Sequence, residues 1–205
     1  EKKVQKLEEN EKFLDRTESV MVDYLLKITA KDISITDSRL ATEIMHSVSD
    51  FEKIGDYCGS LAEEAERHHE QSVAFSTDGK REFTYAVEAV RTIIGMTVQA
   101  YGEENAVIAA RVEPLEQVID DLKEQLRTRH ILRMQQGQCS IEAGFVWSDL
   151  LTDLERTSDH CSNIAGCVID AAHHDLNMHA TLDAARRRDP DFREQYQRCA
   201  AKYQV

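Results

Sequence analysis

The sequence predicts an all-α chain made of two repeated helical units and a short helical tail, and three observations carry that expectation. Only 8 Gly and 2 Pro occur in 205 residues, which leaves few turns for an all-β design. Apolar residues recur at the 3.6-residue period through five long segments. The chain also matches itself: Thr152-Asp153-Leu154-Glu155-Arg156-Thr157-Ser158-Asp159-His160-Cys161 falls over Ser49-Asp50-Phe51-Glu52-Lys53-Ile54-Gly55-Asp56-Tyr57-Cys58 at an offset of 103. With 41% hydrophobic residues the chain can bury a core, so a disordered protein is excluded.

The first segment runs from about residue 4 to 29. The second begins where Ser34, Thr36 and Asp37 offer capping oxygens, and it carries Leu40, Ile44, Val48, Phe51, Cys58 and Leu61 on one stripe to about residue 70. Ser76-Thr77-Asp78-Gly79 is the clearest break. A third segment spans about 80–101, and a fourth about 103–135, with Pro114 inside it to kink the helix or begin a new turn. Gly137 closes that segment, a fifth runs from about Ser140 to Asp170, and the polar remainder, broken at Asp189-Pro190, adds one short helix. Units are expected at 1–75, 80–175 and 176–205. The second and fifth segments are equivalents, and the first and fourth match at an offset of 105, with Glu116-x-x-x-Asp120 over Glu11-x-x-x-Asp15. The third has no partner upstream, so the first helix of repeat one is missing. The start at Glu1-Lys2-Lys3, without an initiator Met, is read in the same way, as a piece of a longer chain. The third segment should therefore cover the fourth and fifth, leaving an apolar groove beside Phe13, Val20, Tyr24 and Ile28 exposed or filled by another chain.

A net charge of −13 opposes binding to phosphate backbones, which argues against nucleic acid as a partner. No apolar run approaches the about 18 residues of a membrane span, so the chain is expected to be soluble. Five Cys without a C-x-x-C pair read as reduced and intracellular.

The acids carry the functional argument. An E-x-x-x-D spacing sets two carboxylates on one helix face, and in so acidic a chain such pairs arise by chance. Position raises their interest, because each pair extends a row that starts apolar: Leu7-Glu11-Asp15, Ile44-Val48-Glu52-Asp56, Val112-Glu116-Asp120 and Trp147-Leu151-Glu155-Asp159. If the first segment packs on the second and the fourth on the fifth, each half gathers four carboxylates that must protonate, attract bases or bind cations. Lys53 and Arg156 point about 100° away from the acids beside them and are expected to neutralise them poorly. Oxygen ligands suit Mg²⁺, Ca²⁺ or Mn²⁺, and bridging carboxylates also support multinuclear iron. The competing reading is purely structural: the acids form salt bridges with Lys27, Arg39, Arg91 or Arg133 and bind nothing.

The histidines add little. Glu43-x-x-His46 and Glu66-x-x-His69 have a di-iron spacing, yet they lie roughly 35 Å apart on one helix and cannot share a metal. His68, His69, His173 and His174 stand near helix ends, where they complement the dipole; His130 and His160 are less easily dismissed. No P-loop, G-x-G-x-x-G, H-E-x-x-H or Ser-His-Asp order is present, so a carboxylate-bridged metalloenzyme is the weakest of the readings.

The run Asp153 to Ala165 resembles the repeated acidic signature of the PhoU family, phosphate-uptake regulators built from two three-helix bundles. Glu113-Pro114-Leu115-Glu116, Arg129-His130-Ile131-Leu132-Arg133, Gly137-Gln138-Cys139 and the tail around Tyr196 to Tyr203 look most like the cytoplasmic PhoU-like domain of bacterial sodium/phosphate cotransporters. The resemblance implies a non-enzymatic regulatory domain on the cytoplasmic face of the plasma membrane, with the membrane transporter portion of the same chain as partner and a homodimer as a second association. The alternative is a stand-alone PhoU-type regulator. It also implies a divalent or multinuclear metal (iron, manganese, zinc or magnesium) on Glu116, Asp120, Glu155 and Asp159 in the second half, and on Glu11, Asp15, Glu52 and Asp56 in the first. The first half departs from the signature, with Tyr57 where the second has His160, so the pattern ranks the second site above the first.

Overall fold

The computed structural model describes residues 2–70, 74–173 and 190–204. Among them are seven helices and no strand: α1 (Lys2–Thr29), α2 (Ile35–Glu70), α3 (Thr77–Gly102), α4 (Ala106–Ala109), α5 (Val112–Gln135), α6 (Ile141–His173) and α7 (Pro190–Lys202). The side chains of His68, His69 and His173, the whole of His174, and the start of the expected tail unit at 176–189 lie outside the described residues.

Local chemistry sets the helix ends. Ser34 Oγ accepts from the Asp37 amide at 3.0 Å and donates to its carboxylate at 2.7 Å, which starts α2. Ser76 Oγ accepts from the Gly79 amide at 3.0 Å and starts α3. The α5 helix ends at Gly137, whose φ of 69° suits a residue without Cβ; the amides of Gly137 and Gln138 reach back to the carbonyls of Met134 and Arg133 at 3.0 and 2.9 Å.

The single helix expected over 103–135 is in fact two. Asn105 caps the one-turn α4 by accepting from the Val107 and Ile108 amides, and α5 starts afresh at Val112. The break falls at Ala110 and Arg111 rather than at Pro114, because a proline ring collides with the carbonyl four residues back, here that of Ala110. Pro114 then occupies the first turn of α5, where a missing N–H costs nothing.

The α1 and α2 helices form one antiparallel hairpin and α5 and α6 another, as the motif-bearing stripes require. The hairpins meet where α2 packs antiparallel along α6, and α3 covers both α5 and α6. The α7 helix lies on α5, with the Tyr196 hydroxyl donating to Asp121 at 2.5 Å, and beyond it Tyr203 shares a 2.9 Å hydrogen bond with Thr92 of α3.

This arrangement puts the core in the second half. Ala89, Ile93, Val112, Leu115, Leu126, Trp147 and Cys161 are sealed there, whereas among the described residues α1 packs only on α2 and keeps Phe13 at 68% and Tyr24 at 65% exposure, with Val20 exposed and Ile28 half-buried. Among the described residues no helix covers the first hairpin, whereas the equivalent stripe in the second half lies under α3.

Candidate metal centre

In the first half α1 brings Asp15, and α2 brings Glu52 and Asp56, onto facing rows. Each of the three offers a carboxylate oxygen, and these oxygens all lie within 4.8 Å of one another. Among the described residues no second group of three possible ligands meets that test. Glu11 stands one turn away, its Oε2 against the bare backbone of Gly59, where an added Cβ would come within 3.1 Å of it. Burial first, then the charges of Asp56 and Glu18, push the Glu52 carboxyl above the usual carboxylate range against the opposing pull of Lys53.

Lys53 corrects the angular argument made from the sequence. Its Nζ lies 3.0 Å from Glu52 Oε2 and 2.7 Å from Asp56 Oδ2, and those bonds hold the ammonium well above the usual lysine range. The Cβ does point away, but a four-carbon stem reaches round the helix to the same side.

In the second half, α5 supplies Glu116 and Asp120 and α6 supplies Glu155 and Asp159. Glu116 is buried, and the other three are half-buried. Lys123 Nζ lies 3.1 Å from Glu155 Oε1, and the Arg156 guanidinium stands 3.9 Å from Glu155 Oε2 and 3.7 Å from Asp159 Oδ2. The Asp159 carboxyl is raised by burial first and then by Glu155 and Asp120, while Arg156 and His160 pull the other way. The bases that meet the paired acids are thus Lys53, Lys123 and Arg156, whereas Arg133 instead pairs with the buried Glu82 at 2.7 Å.

One polar arrangement escaped the motif reading. At the α2–α6 seam, Asp50 Oδ1 contacts His160 Nδ1 at 2.7 Å and accepts from Asn163 Nδ2 at 3.3 Å, and the rings of His160 and Tyr57 stack 5.7 Å apart. The mirrored contact joins Asp153 to Ser60. The offset of 103 places Asp153 over Asp50, His160 over Tyr57 and Asn163 over Ser60, so the seam carries a pseudo-two-fold relation.

The donor set of the first-half cluster is three carboxylates from two helices, which suits a hard divalent cation better than a soft one. The same two-helix unit occurs twice, and the family model for the PhoU domain matches both copies, over residues 1–65 and 86–168. The chain belongs to the PhoU domain family. A curated relative, the phosphate-specific transport system accessory protein PhoU homolog 1 of Thermotoga maritima, is 27% identical over 131 residues, which is 64% of this chain and 56% of the relative. The chain therefore spans little more than half the length of that relative. The crystal structure of PhoU from Pseudomonas aeruginosa superposes with a TM-score of 0.75 at 24% identity, covering 84% of this chain and 82% of that one. The phosphate transport system regulatory protein PhoU from Streptococcus pneumoniae gives 0.72 at 20% identity, covering 84% and 80%. At these identities the two superpositions establish the PhoU fold.

The comparisons correct one expectation. The relatives that the chain matches are accessory and regulatory PhoU proteins, which overturns the reading of a cytoplasmic domain of a sodium/phosphate cotransporter and, with it, the transporter portion of the same chain as partner. No helix among the described residues is long and apolar enough to cross a membrane.

Proposed function

We propose that this PhoU-family chain is an accessory regulator of a phosphate transport system, acting from the cytoplasmic side without catalysing a reaction. The observation that carries the reading is the family match over both two-helix units, together with a curated relative whose name assigns it to phosphate-specific transport. The paired acids support a role for a cation. Asp15, Glu52 and Asp56 would hold it in the first half, with Lys53 displaced from two of them, and Glu116, Asp120, Glu155 and Asp159 are the corresponding set in the second. A divalent ion held by these acids would supply positive charge for anionic groups that a chain of net charge −13 otherwise repels.

The test is removal of the chain from its host, followed by phosphate uptake measured in phosphate-rich and phosphate-poor medium. Loss of the difference between the two media, restored by the full-length protein, supports the reading. Uptake that follows external phosphate as before overturns it.

A further inference from the structure

The offset of 105 that lays Glu116 over Glu11 and Asp120 over Asp15 lays Lys123 over Glu18. At this position the two halves of the molecule therefore carry charges of opposite sign. In the first half Glu18 accepts from Ser49 Oγ at 2.6 Å, and its charge is felt at Glu52. In the second, the Lys123 side chain, only 21% exposed, sets its ammonium 3.1 Å from Glu155 Oε1.

From this reversal we infer that Lys123 is a tethered counter-ion occupying the second-half acidic site, so that the cation of this protein binds the first half alone. The inference rests on the metal-binding part of the reading above. It reverses the order in which the sequence pattern ranks the two sites.

The charge inventory of the two halves supports it. Among the described residues, Lys53 meets Glu52 and Asp56 in the first half, whereas in the second half Lys123 meets Glu155 from across the helix pair and Arg156 stands beside Glu155 and Asp159. The remaining bases also differ in how firmly they are held. Lys53 is 49% exposed on a flexible stem and can swing into water when a cation arrives, whereas Lys123, at 21%, is held more closely between α5 and α6. A divalent ion entering the second half must displace that ammonium from Glu155, or share the site with it at a few ångströms, where like charges repel strongly. Glu155 Oε2 is buried without a hydrogen-bond partner, with only the Arg156 guanidinium 3.9 Å away. Glu155 thus keeps a buried oxygen that no hydrogen bond holds, although the second-half acids do not converge as Asp15, Glu52 and Asp56 do.

The experiment is titration of the full chain, freed of metal by chelator and carrying no affinity tag, with manganese(II) followed by calorimetry. Wild type should show a single class of site, and Asp15→Asn should abolish it. Glu18→Lys should weaken it roughly tenfold or more by bringing a second positive charge to the site. Lys123→Glu should create a second class of site, lost again in Lys123→Glu with Glu155→Gln. Lys123→Gln, which removes the charge without adding a ligand, should create it more weakly and serves if the glutamate variant does not fold. Wild type that binds no manganese overturns the metal reading itself. Two equivalent sites in wild type, binding that survives Asp15→Asn, or a wild-type single site to which neither Lys123 variant adds another, overturns the role of Lys123 and leaves the metal reading standing.

Discussion

Glu82 and Arg133 tie the start of α3 to the end of α5, and removing either should show how much of the second half depends on a buried charge pair. Their side chains are 4% and 10% exposed and meet at 2.7 Å, and the guanidinium also lies 5.7 Å from the ring centre of the sealed Trp147. Glu82→Ala leaves that guanidinium enclosed without its carboxylate, a change that costs about 3–5 kcal/mol when one member of a buried pair is lost. For a chain of this size that corresponds to a fall in melting temperature of about 10 °C. Arg133→Met is expected to be milder, because Glu82 keeps Arg129 at 3.1 Å. Glu82→Leu combined with Arg133→Met removes both charges and should recover most of the loss, since a paired buried charge contributes little net stability over apolar residues of the same volume. The assay is thermal and urea unfolding of the three variants by circular dichroism. A Glu82→Ala protein within about 0.5 kcal/mol of wild type, the value of an ordinary surface change, would show that the pair is hydrated and the reasoning wrong.

Burial, and then Arg133, hold the buried His130 imidazole below its ordinary value of 6.5, against the weaker pull of Glu82. The folded state then favours the neutral ring, so its contribution is complete above pH 6.5 and drains away as the pH falls below it. The melting temperature should therefore drop between pH 7.5 and 5.5, and less so in His130→Gln; parallel curves for the two proteins would refute this. Leu126→Ala, at a site sealed from solvent, should cost about 2–5 kcal/mol, whereas Phe13→Ala on the open face of α1 should stay within about 0.5 kcal/mol, both read by urea unfolding. Amides of α1 should exchange with solvent at a lower opening free energy than those of α5, because among the described residues α1 packs on one helix and α5 on several; equal protection in native-state hydrogen exchange would contradict that.

Much of the architecture was legible because it is written twice. The offset that aligns Glu155 and Asp159 with Glu52 and Asp56 also identifies which helices pair, and the unmatched third segment foretells that α3 covers one hairpin and not the other. The details that escaped are of a different physical kind. Matching two repeats by what they share passes over what they do not, and so Lys123 over Glu18 went unremarked. The break at Ala110 lies four residues from its cause, since Pro114 acts on the preceding turn. Lys53 departs from the helical angle because the direction of a Cβ says little about where a long flexible side chain places its charge. The seam of Asp50, His160 and Asn163 joins residues 110 and more apart, and no helical period relates them.

The length of the two seam helices has a mechanical side. With 36 and 33 residues, α2 and α6 are rods of roughly 50 Å that touch along their middles, where Asp50, Tyr57, Ser60, Asp153, His160 and Asn163 meet. Tilting such a rod by about 10° about its centre carries each end about 5 Å, close to one helical turn. A shift of a fraction of an ångström at Asp50 and His160 would thus be geared up into a displacement that a protein gripping the far tips of the hairpins could feel, with no change inside either bundle.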